Sequence, residues 1–447
     1  MSTSPVTVSV VVPCHNAEPY LGRTLASICA QSWRDLEIIV VDDGSTDGSV
    51  AVAEGLGDPR LRVVRQAASG GPSAPRNRGI AEARGRLVFF CDADDVMRPG
   101  KVEAQVALLE AHPDVGLVFT DFEVIDLEDR VLEGSFLAPF ATLRRVVAAG
   151  PGPEGGLRRD RLLDGLLRAN FIGTSSVAVR KSVLDDVGGF DPALPSSEDL
   201  DLWLRIARRH ACAFLDLVGH GYRRRPGSVM HDNSPRHPLA RIEVLERQLA
   251  AGATPAQRRV IRQWIARNLC GLGYLCELAG DHARARTFHL ESLRARPNLQ
   301  AAWGWGKATV REAVGARGGR QFLAYAAIGA VGTGFHYLTL VALVSRARLD
   351  PVAATSCGFV VGAVVNYVGN YHLTFRSRRG HVGTMGRFFA VAAAGMAVNA
   401  AVMALCHRAL GIHYLVSQVL ATGLVVVLTF LANRAWTFRE VSDDRAR

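Results

Sequence analysis

Two aspartates one residue apart, Asp92 and Asp94, directly follow an apolar run at residues 87–90. The run predicts a buried strand. Because alternate residues of an extended segment face the same way, both carboxylates lie on one side of it. Paired carboxylates can hold Mg²⁺ or Mn²⁺ against a phosphate group. A solvated turn is the alternative, since aspartate also favours turns, but the position behind a strand favours the metal.

A second acidic pair, Asp42 and Asp43, ends the apolar run at residues 38–41. A carboxylate there can accept hydrogen bonds from a nucleotide base or ribose, and we assign that role to Asp42. The alternative is a helix N-terminus, where acidic side chains complement the dipole, and Asp47 suits that better. The glycine-rich loop before Arg76 could bring this arginine to a phosphate, although a plain loop would have a similar sequence.

A third acidic pair, Glu198 and Asp199, follows two serines. Asp199 could act as the general base that removes a proton from an acceptor hydroxyl group. Serine followed by acidic residues also stabilises the start of a helix, and the spacing does not separate the two interpretations. His231 lies in a polar loop, where it could add a metal ligand or be an ordinary loop residue.

Strand and helix patterns alternate through the first part of the chain. The predicted strands cover residues 8–12, 36–41, 61–64 and 87–91, and the predicted helices cover 21–31, 46–54 and 77–83. This alternation predicts a mostly parallel α/β sheet with helices on both faces. Ligands of such sheets bind at the carboxyl ends of the strands, where the first two acidic pairs fall. Residues 134–160 are rich in Gly, Pro and Arg and predict a loop.

The last part of the chain changes to long apolar stretches, each near the length of a membrane-spanning helix. They cover residues 322–344, 352–371, 388–406 and 414–432. We therefore predict an all-α domain with four spans. One pattern, Asn-x-x-x-Thr-Phe, occurs at residues 370–375 and again at 433–438. This repeat indicates a duplicated pair of helices.

Basic residues concentrate beside these stretches. Residues 316–447 contain 13 Arg, no Lys and 4 acidic residues, a net charge of +9 against +10 for the whole chain. Arginine beside apolar spans indicates anionic lipid rather than nucleic acid. Most of these arginines flank one side of the predicted spans, so the positive-inside rule puts both termini in the cytoplasm. The first residues lack a signal-peptide pattern and the eight cysteines lack CxxC spacing, which also favours a cytoplasmic first domain.

Six motifs taken together resemble the family 2 glycosyltransferases of the GT-A fold. They lie at residues 10–16, 41–47, 74–80, 90–95, 187–191 and 198–205. The resemblance implies a Rossmann-like mixed sheet and an inverting transfer. In that transfer Asp42 contacts the nucleotide and Asp199 is the base. Asp92 and Asp94 hold Mg²⁺ or Mn²⁺ together with the diphosphate.

The predicted site consists of residues within these motifs, apart from His231, which is a candidate third metal ligand. The catalytic residues are Asp199 and Glu198, and the metal ligands are Asp92 and Asp94. The donor-binding residues are Pro13, Asn16, Asp42, Asp43, Arg76, Asn77, Asp92 and Ala93.

Residues 320–438 resemble the GtrA-like family of four-helix membrane domains, on the basis of the repeated Asn-x-x-x-Thr-Phe endings. That family is associated with moving or handling polyprenyl-phosphate-linked sugars, so the resemblance implies a lipid-phosphate acceptor. We predict four segments: a GT-A domain at 1–238, a tetratricopeptide-like helical spacer at 239–315, a GtrA-like domain at 316–440 and a tail at 441–447.

These expectations combine into a metal-dependent hexosyltransferase anchored in the inner cell membrane, with a cytoplasmic catalytic domain. Its donor is a UDP- or GDP-linked sugar. Its acceptor is lipid-linked or a glycan, in the synthesis of cell-surface polysaccharide or glycolipid. The alternatives are a polyprenyl-phosphate-sugar synthase with an attached flippase, and a flippase for lipid-linked sugars whose first domain only binds the sugar.

Overall fold

The chain divides into two compact units. The computed structural model describes residues 7–148, 157–225, 234–349, 351–377, 379–409 and 414–438. The first unit comprises Met1–Leu275 and Phe288–Ala302, and the second comprises Cys276–Thr287 and Trp303–Arg447.

A mixed sheet forms the centre of the first unit, with nine strands over the residues that the structure describes. The strands are β1 Val8–Cys14, β2 Leu36–Asp43, β3 Leu61–Gln66, β4 Leu87–Phe90, β5 Val96–Met97, β6 Val115–Ile125, β7 Val131–Glu133, β8 Val177–Arg180 and β9 Ala211–Arg223. Their order is β3-β2-β1-β4-β8-β6-β9-β5, with β7 beside β6. Strands β1 to β4 are parallel, whereas β8 runs antiparallel to β4 and β6. The predicted α/β sheet is thus confirmed.

Helices cover both faces of this sheet. The helices that begin in the first unit are α1 Glu18–Cys29, α2 Ser49–Gly55, α3 Ser73–Glu82, α4 Lys101–Ala111, α5 Ala141–Ala148, α6 Arg159–Arg168, α7 Lys181–Val187, α8 Glu198–Arg209, α9 Arg236–Ala250, α10 Pro255–Leu278 and α12 Leu299–Ser345. The remaining helix before the membrane part is α11 His282–Ala295. Neighbouring strand residues enter separate cores, Val11 and Phe90 on one face and Val10 and Phe89 on the other. Because both faces are buried, these strands read as continuous apolar runs.

Helices α9 and α10 belong to the same core as the sheet. Leu245 of α9 and Ile261 and Leu269 of α10 are buried in one cluster with Val88 of β4. The first part of the segment predicted as a spacer therefore lies in the core of the first unit, where its side chains contact α6 and α8.

The second unit is helical. After α12 it contains α13 Pro351–Gly369, α14 His381–Met403 and α15 Tyr414–Ala432. Within the described residues, three segments are long and apolar enough to cross a membrane: Arg320–Ser345, His381–Cys406 and Leu420–Thr437. The fourth predicted span, at 352–371, falls largely on α13, which has 19 residues.

The two copies of the repeated pattern adopt the same local conformation. A π-helical turn follows α13 at Asn370–Thr374, and another follows α15 at Asn433–Thr437. The phenylalanine that closes each copy, Phe375 or Phe438, stacks on the other at 4.6 Å between ring centroids. The repeat seen in the sequence is therefore a packing element in which the two helix pairs share one aromatic cluster.

Candidate active site

A cavity of about 930 Å³ lies at the carboxyl ends of β1, β2 and β4. Its walls come from the turns after β1 and β4, the loop that leads into α3, the start of α8, and side chains of α9 and α10. The predicted site residues in its lining are Pro13, Asn16, Asp43, Arg76, Asp92, Ala93, Asp94, Glu198 and Asp199. The lining does not include Asp42 or Asn77, and His231 lies outside the described residues.

Arg76 of α3 connects two of the three acidic pairs. Its Nη2 donates to Asp92 Oδ1 and its Nη1 donates to Glu198 Oε1, both at 2.8 Å. The guanidinium is buried and lies over the ring of Phe190 at 5.2 Å. Burial acts to lower the pKa of Arg76, but the charges of Asp92 and Glu198 outweigh it and raise the pKa above its usual value. The permanently charged guanidinium group of Arg76 therefore holds the turn after β4 against the start of α8.

The side chain of Asp94 is paired with an arginine that the sequence prediction did not include. Arg225 Nε donates to Asp94 Oδ2 at 2.5 Å. Burial raises the pKa of the Asp94 carboxyl, the nearby charge of Asp92 raises it further, and Arg225 opposes both. A carboxylate whose charged form is destabilised by burial and by a neighbouring carboxylate is suited to a bound cation.

The next aspartate, Asp95, fixes the turn itself. Its Oδ2 accepts a hydrogen bond from Ser175 Oγ at 2.6 Å, and its Oδ1 accepts one from the Arg223 N–H at 3.1 Å. Ser175 Oγ in turn accepts the N–H of Asp92 at 3.0 Å. Asp95 thus positions Asp92 through Ser175.

The residues present fit a divalent cation. Asp92 and Asp94 each give one oxygen to an arginine, and the other oxygen of each has no hydrogen bond to any described residue. No group of three or more His, Cys, Asp and Glu side chains that could hold a metal occurs within the described ranges. Mg²⁺ is commonly bound by one or two carboxylates together with substrate phosphates. Asp92 and Asp94 provide this two-carboxylate arrangement.

Asp199 has the properties of a base that works near neutral pH. Its Oδ2 accepts a hydrogen bond from Asn170 Nδ2 at 2.8 Å, and its Oδ1 accepts the Leu200 N–H at 2.6 Å. Burial, and then the charge of Glu198, raise the pKa of Asp199 to about 6. A carboxylate with this pKa is ionised at pH 7 yet more basic than an exposed aspartate.

Of the pair at the end of β2, Asp43 faces the cavity and Asp42 packs behind it. Asp43 is held by Gln66 Nε2 at 2.7 Å and by the N–H and Oγ of Ser69. The Oδ1 of Asp42 accepts the Ser45 N–H at 3.2 Å. A direct contact between Asp42 and a nucleotide stays a prediction, while Asp43 lies in the cavity lining.

The side chains of Asn16 and Asn77 form hydrogen bonds with the backbone of other segments. Asn16 has a φ of 50°, and its Oδ1 accepts the Thr46 N–H at 2.8 Å, which joins the turns after β1 and β2. The amide of Asn77 makes two hydrogen bonds to the backbone of Phe190, at 2.7 and 2.8 Å. Phe190 lies under the Arg76 guanidinium, so Asn77 fixes the surface on which that arginine rests.

Comparison with known proteins identifies two families that this chain resembles. Residues 9–157 match the family model of glycosyl transferase family 2, and residues 324–438 match the GtrA/DPMS transmembrane domain. The chain carries a family 2 glycosyltransferase domain and a GtrA-type membrane domain.

Similar proteins have been found in bacteria. An uncharacterised protein of Sinorhizobium fredii is 30% identical over 252 residues, which are 54% of this chain and 25% of that protein. The succinoglycan biosynthesis protein ExoO of Rhizobium meliloti is 28% identical over 223 residues, 50% of this chain and 62% of ExoO. The chain therefore spans less than two thirds of either relative. The crystal structure of residues 1–349 of S. aureus TarS with UDP-GlcNAc has a TM-score of 0.45 at 20% identity, covering 84% of this chain and 94% of that fragment.

Several residues of the glycosyltransferase site were missed by sequence reasoning. They are Tyr20, Asn170, Ser175, Arg225, Arg241 and Asn268, all in the cavity lining. Arg225 ends a run of three arginines that begins at the last residue of β9, and this run could have marked it as a partner for the acidic turn. The others have no local signal, because each is brought to the cavity by the packing of a distant element.

Proposed function

We propose that this chain is an inverting, metal-dependent glycosyltransferase of the cell membrane that transfers a hexosyl group from a nucleoside diphosphate sugar to an acceptor. The observation that carries the proposal is the double ion pair of Arg76. This double ion pair joins Asp92, in the turn after β4, to Glu198, which precedes the candidate base Asp199. Both carboxylates therefore face one cavity.

The donor half of the site is formed by the strand ends. Asp43 accepts hydrogen bonds from the nucleoside, which is a uridine or a guanosine. The diphosphate lies at Asp92 and Asp94. When bound there, Mg²⁺ or Mn²⁺ supplies neutralisation of the negative charge that develops on the leaving diphosphate. Arg76 and Arg225 hold the two carboxylates in position for it.

Asp199 takes up a proton in the transfer step. The acceptor hydroxyl oxygen forms a bond to the anomeric carbon, the bond from that carbon to the diphosphate oxygen breaks, and the hydroxyl proton passes to Asp199. Because attack occurs opposite the leaving group, the anomeric configuration inverts. Asn170 and the Leu200 N–H fix the carboxylate for this role.

Replacement of the base tests the proposal. Asp199→Asn keeps the side-chain size, and we expect the rate of transfer to a hydroxyl acceptor to fall by about 10²–10⁴ while the nucleotide still binds. Asp164→Asn, a change of the same kind outside the cavity lining, is the control. A phosphate acceptor is already anionic, so full activity of Asp199→Asn on a polyprenyl phosphate would remove Asp199 from this role.

A second candidate function concerns the membrane unit, which has its own cavity of about 760 Å³. Its lining contains no acidic residue, lysine or arginine among the described residues, but it includes Asn366, Asn399 and Asn433. Uncharged polar groups in an apolar bundle suit a lipid-linked sugar in transit. Vesicles with the full-length Asp92→Asn variant test this, because transport that persists without sugar transfer would assign it to this unit, and no movement would leave the unit as an anchor.

A further inference from the structure

Three arginines line the cavity of the glycosyltransferase domain, and two of them are neutralised by carboxylates. Arg76 pairs with Asp92 and Glu198, and Arg225 pairs with Asp94. Arg241 has no carboxylate within ion-pair distance in the described part of the chain. Its Nη2 donates a long hydrogen bond of 3.4 Å to the carbonyl of Arg168, and its Nε is buried without a described partner.

Arg241 is held in place without being neutralised. Its guanidinium lies 5.1 Å from the ring of Trp264 on α10, which fixes the plane of the side chain. Burial lowers the pKa of Arg241, against the charge of Asp199, which acts to raise it. An arginine stays protonated under such conditions. A largely desolvated cation that makes no close ion pair with a described carboxylate is costly to maintain, and an anion bound in the cavity would offset that cost.

Arg241 and two of its neighbours, His237 and Asn268, form one wall of the cavity. His237, Arg241 and Leu245 are spaced four residues apart on α9 and share one face of the helix. Leu245 is buried in the core, while His237 and Arg241 line the cavity. His237 Nδ1 lies 2.6 Å from Ser196 Oγ, three residues before Asp199. Asn268 of α10 completes the wall.

This wall is separate from the donor residues. Asp43, Asp92 and Asp94 belong to the ends of β2 and β4, whereas His237, Arg241 and Asn268 belong to α9 and α10. Asp199 at the start of α8 lies in the same lining and is close enough to Arg241 for their charges to interact. The positive group therefore stands beside the candidate base.

We propose that Arg241, with His237 and Asn268, forms the acceptor subsite and binds an anionic group of the acceptor, a phosphate or a carboxylate, next to Asp199. The inference rests on the proposed function and specifies the substrate class that the same cavity accepts as its second substrate.

Binding to the full-length protein in detergent tests this without any turnover. Titration calorimetry would use three probes of similar apolar character: citronellyl phosphate, octyl glucuronide and octyl glucoside. Arg241→Gln is the test variant. Arg267→Gln is the matched control, because Arg267 also lies 5.0 Å from Trp264 but is exposed and outside the cavity lining.

We expect at least one of the two anionic probes to bind the wild-type protein, and Arg241→Gln to weaken it by about tenfold or more, as for loss of a charge-assisted hydrogen bond. Arg267→Gln should change it less than about twofold, and the glucoside should not distinguish the variants. The probe that responds, phosphate or glucuronide, identifies the source of the charge. If Arg241→Gln does not fold, Arg241→Lys replaces it, with loss of the fork geometry weakening the anionic probe relative to Arg267→Lys.

Equal affinities of the test and control variants for both anionic probes would overturn the proposal, and so would a loss that is as large for the neutral glucoside. Hydrolysis of nucleotide sugars by the wild-type protein is measured separately. Its absence would count against the proposed transferase activity, and the binding result would still decide on the anion subsite.

Discussion

Replacement of Arg76 by methionine should damage both stability and transfer. The side chain of Arg76 is 6% exposed and pairs with Asp92 and Glu198. Methionine fills a similar volume but leaves Glu198, whose side chain is 11% exposed, without its cation. Breaking a buried pair from one side typically costs about 3–5 kcal/mol. For a domain of this size that corresponds to a decrease in Tm of about 10 °C.

Arg78→Met on the same helix is the matched control. Arg78 pairs with Glu82 at 2.8 Å, but its side chain is 54% exposed, so solvent screens the pair. The assay is thermal unfolding of the full-length protein in detergent at pH 7.5, together with sugar transfer. We expect Arg78→Met to behave as the wild type in both measurements.

A double variant separates the ion pair from simple loss of packing. Glu198→Gln added to Arg76→Met removes the stranded charge, so it should restore part of the lost stability. The reasoning is refuted if Arg76→Met unfolds within about 2 °C of Arg78→Met, or if the added Glu198→Gln lowers the Tm further.

Three more predictions concern ionisation and the metal. The pKa of Asp199 is raised to about 6, so kcat/KM for a hydroxyl acceptor should be flat above that pH and fall about tenfold per pH unit below it; a pH profile from 5 to 8 checks this. Chelation with EDTA should abolish transfer and Mn²⁺ should restore it, with Asp94→Asn requiring about tenfold more Mn²⁺ or above; a metal titration of the rate decides. Burial lowers the pKa of Lys101 to about 7, and the unfolded chain then binds more protons between pH 7 and 10. Stability should therefore rise with pH across that window, and Lys101→Met should flatten the rise in denaturant unfolding measured at several pH values.

The strands around the site could be predicted from the sequence because their signal is local. The apolar runs at β1, β2 and β4 are continuous since both faces of the sheet are buried. The predicted strand at 36–41 stops two residues short of β2, which extends to Asp43. Successive residues of a strand point to opposite sides, so the last two residues decide which aspartate faces the cavity. The sequence prediction chose Asp42 for the nucleotide contact, and Asp43 is the one in the lining.

Two other features depended on contacts that no local pattern reveals. The segment at 134–160 was predicted as a loop because of its Gly, Pro and Arg content, yet it contains α5, where Leu143 and Val146 are buried in the core. The sequence allowed Arg76 either to pair with a phosphate of the donor or to belong to a plain loop. In the structure both terminal nitrogens of its guanidinium bind carboxylates, and Glu198 lies 122 residues away along the chain.

The role of α9 and α10 shows why a helical pattern alone could not separate a spacer from an active-site wall. The pattern of an amphipathic helix predicts that one face is buried, but it does not predict which element that face packs against. Leu245 is buried in the core of the first unit, which fixes the face of α9 that packs inward. Once Leu245 is placed there, the helical repeat obliges Arg241 and His237 to point along the same face, one and two turns nearer the cavity. The apolar residue that stabilises the fold thereby directs the polar residues toward the cavity, so a change at Leu245 would alter the proposed acceptor subsite without contacting its ligand.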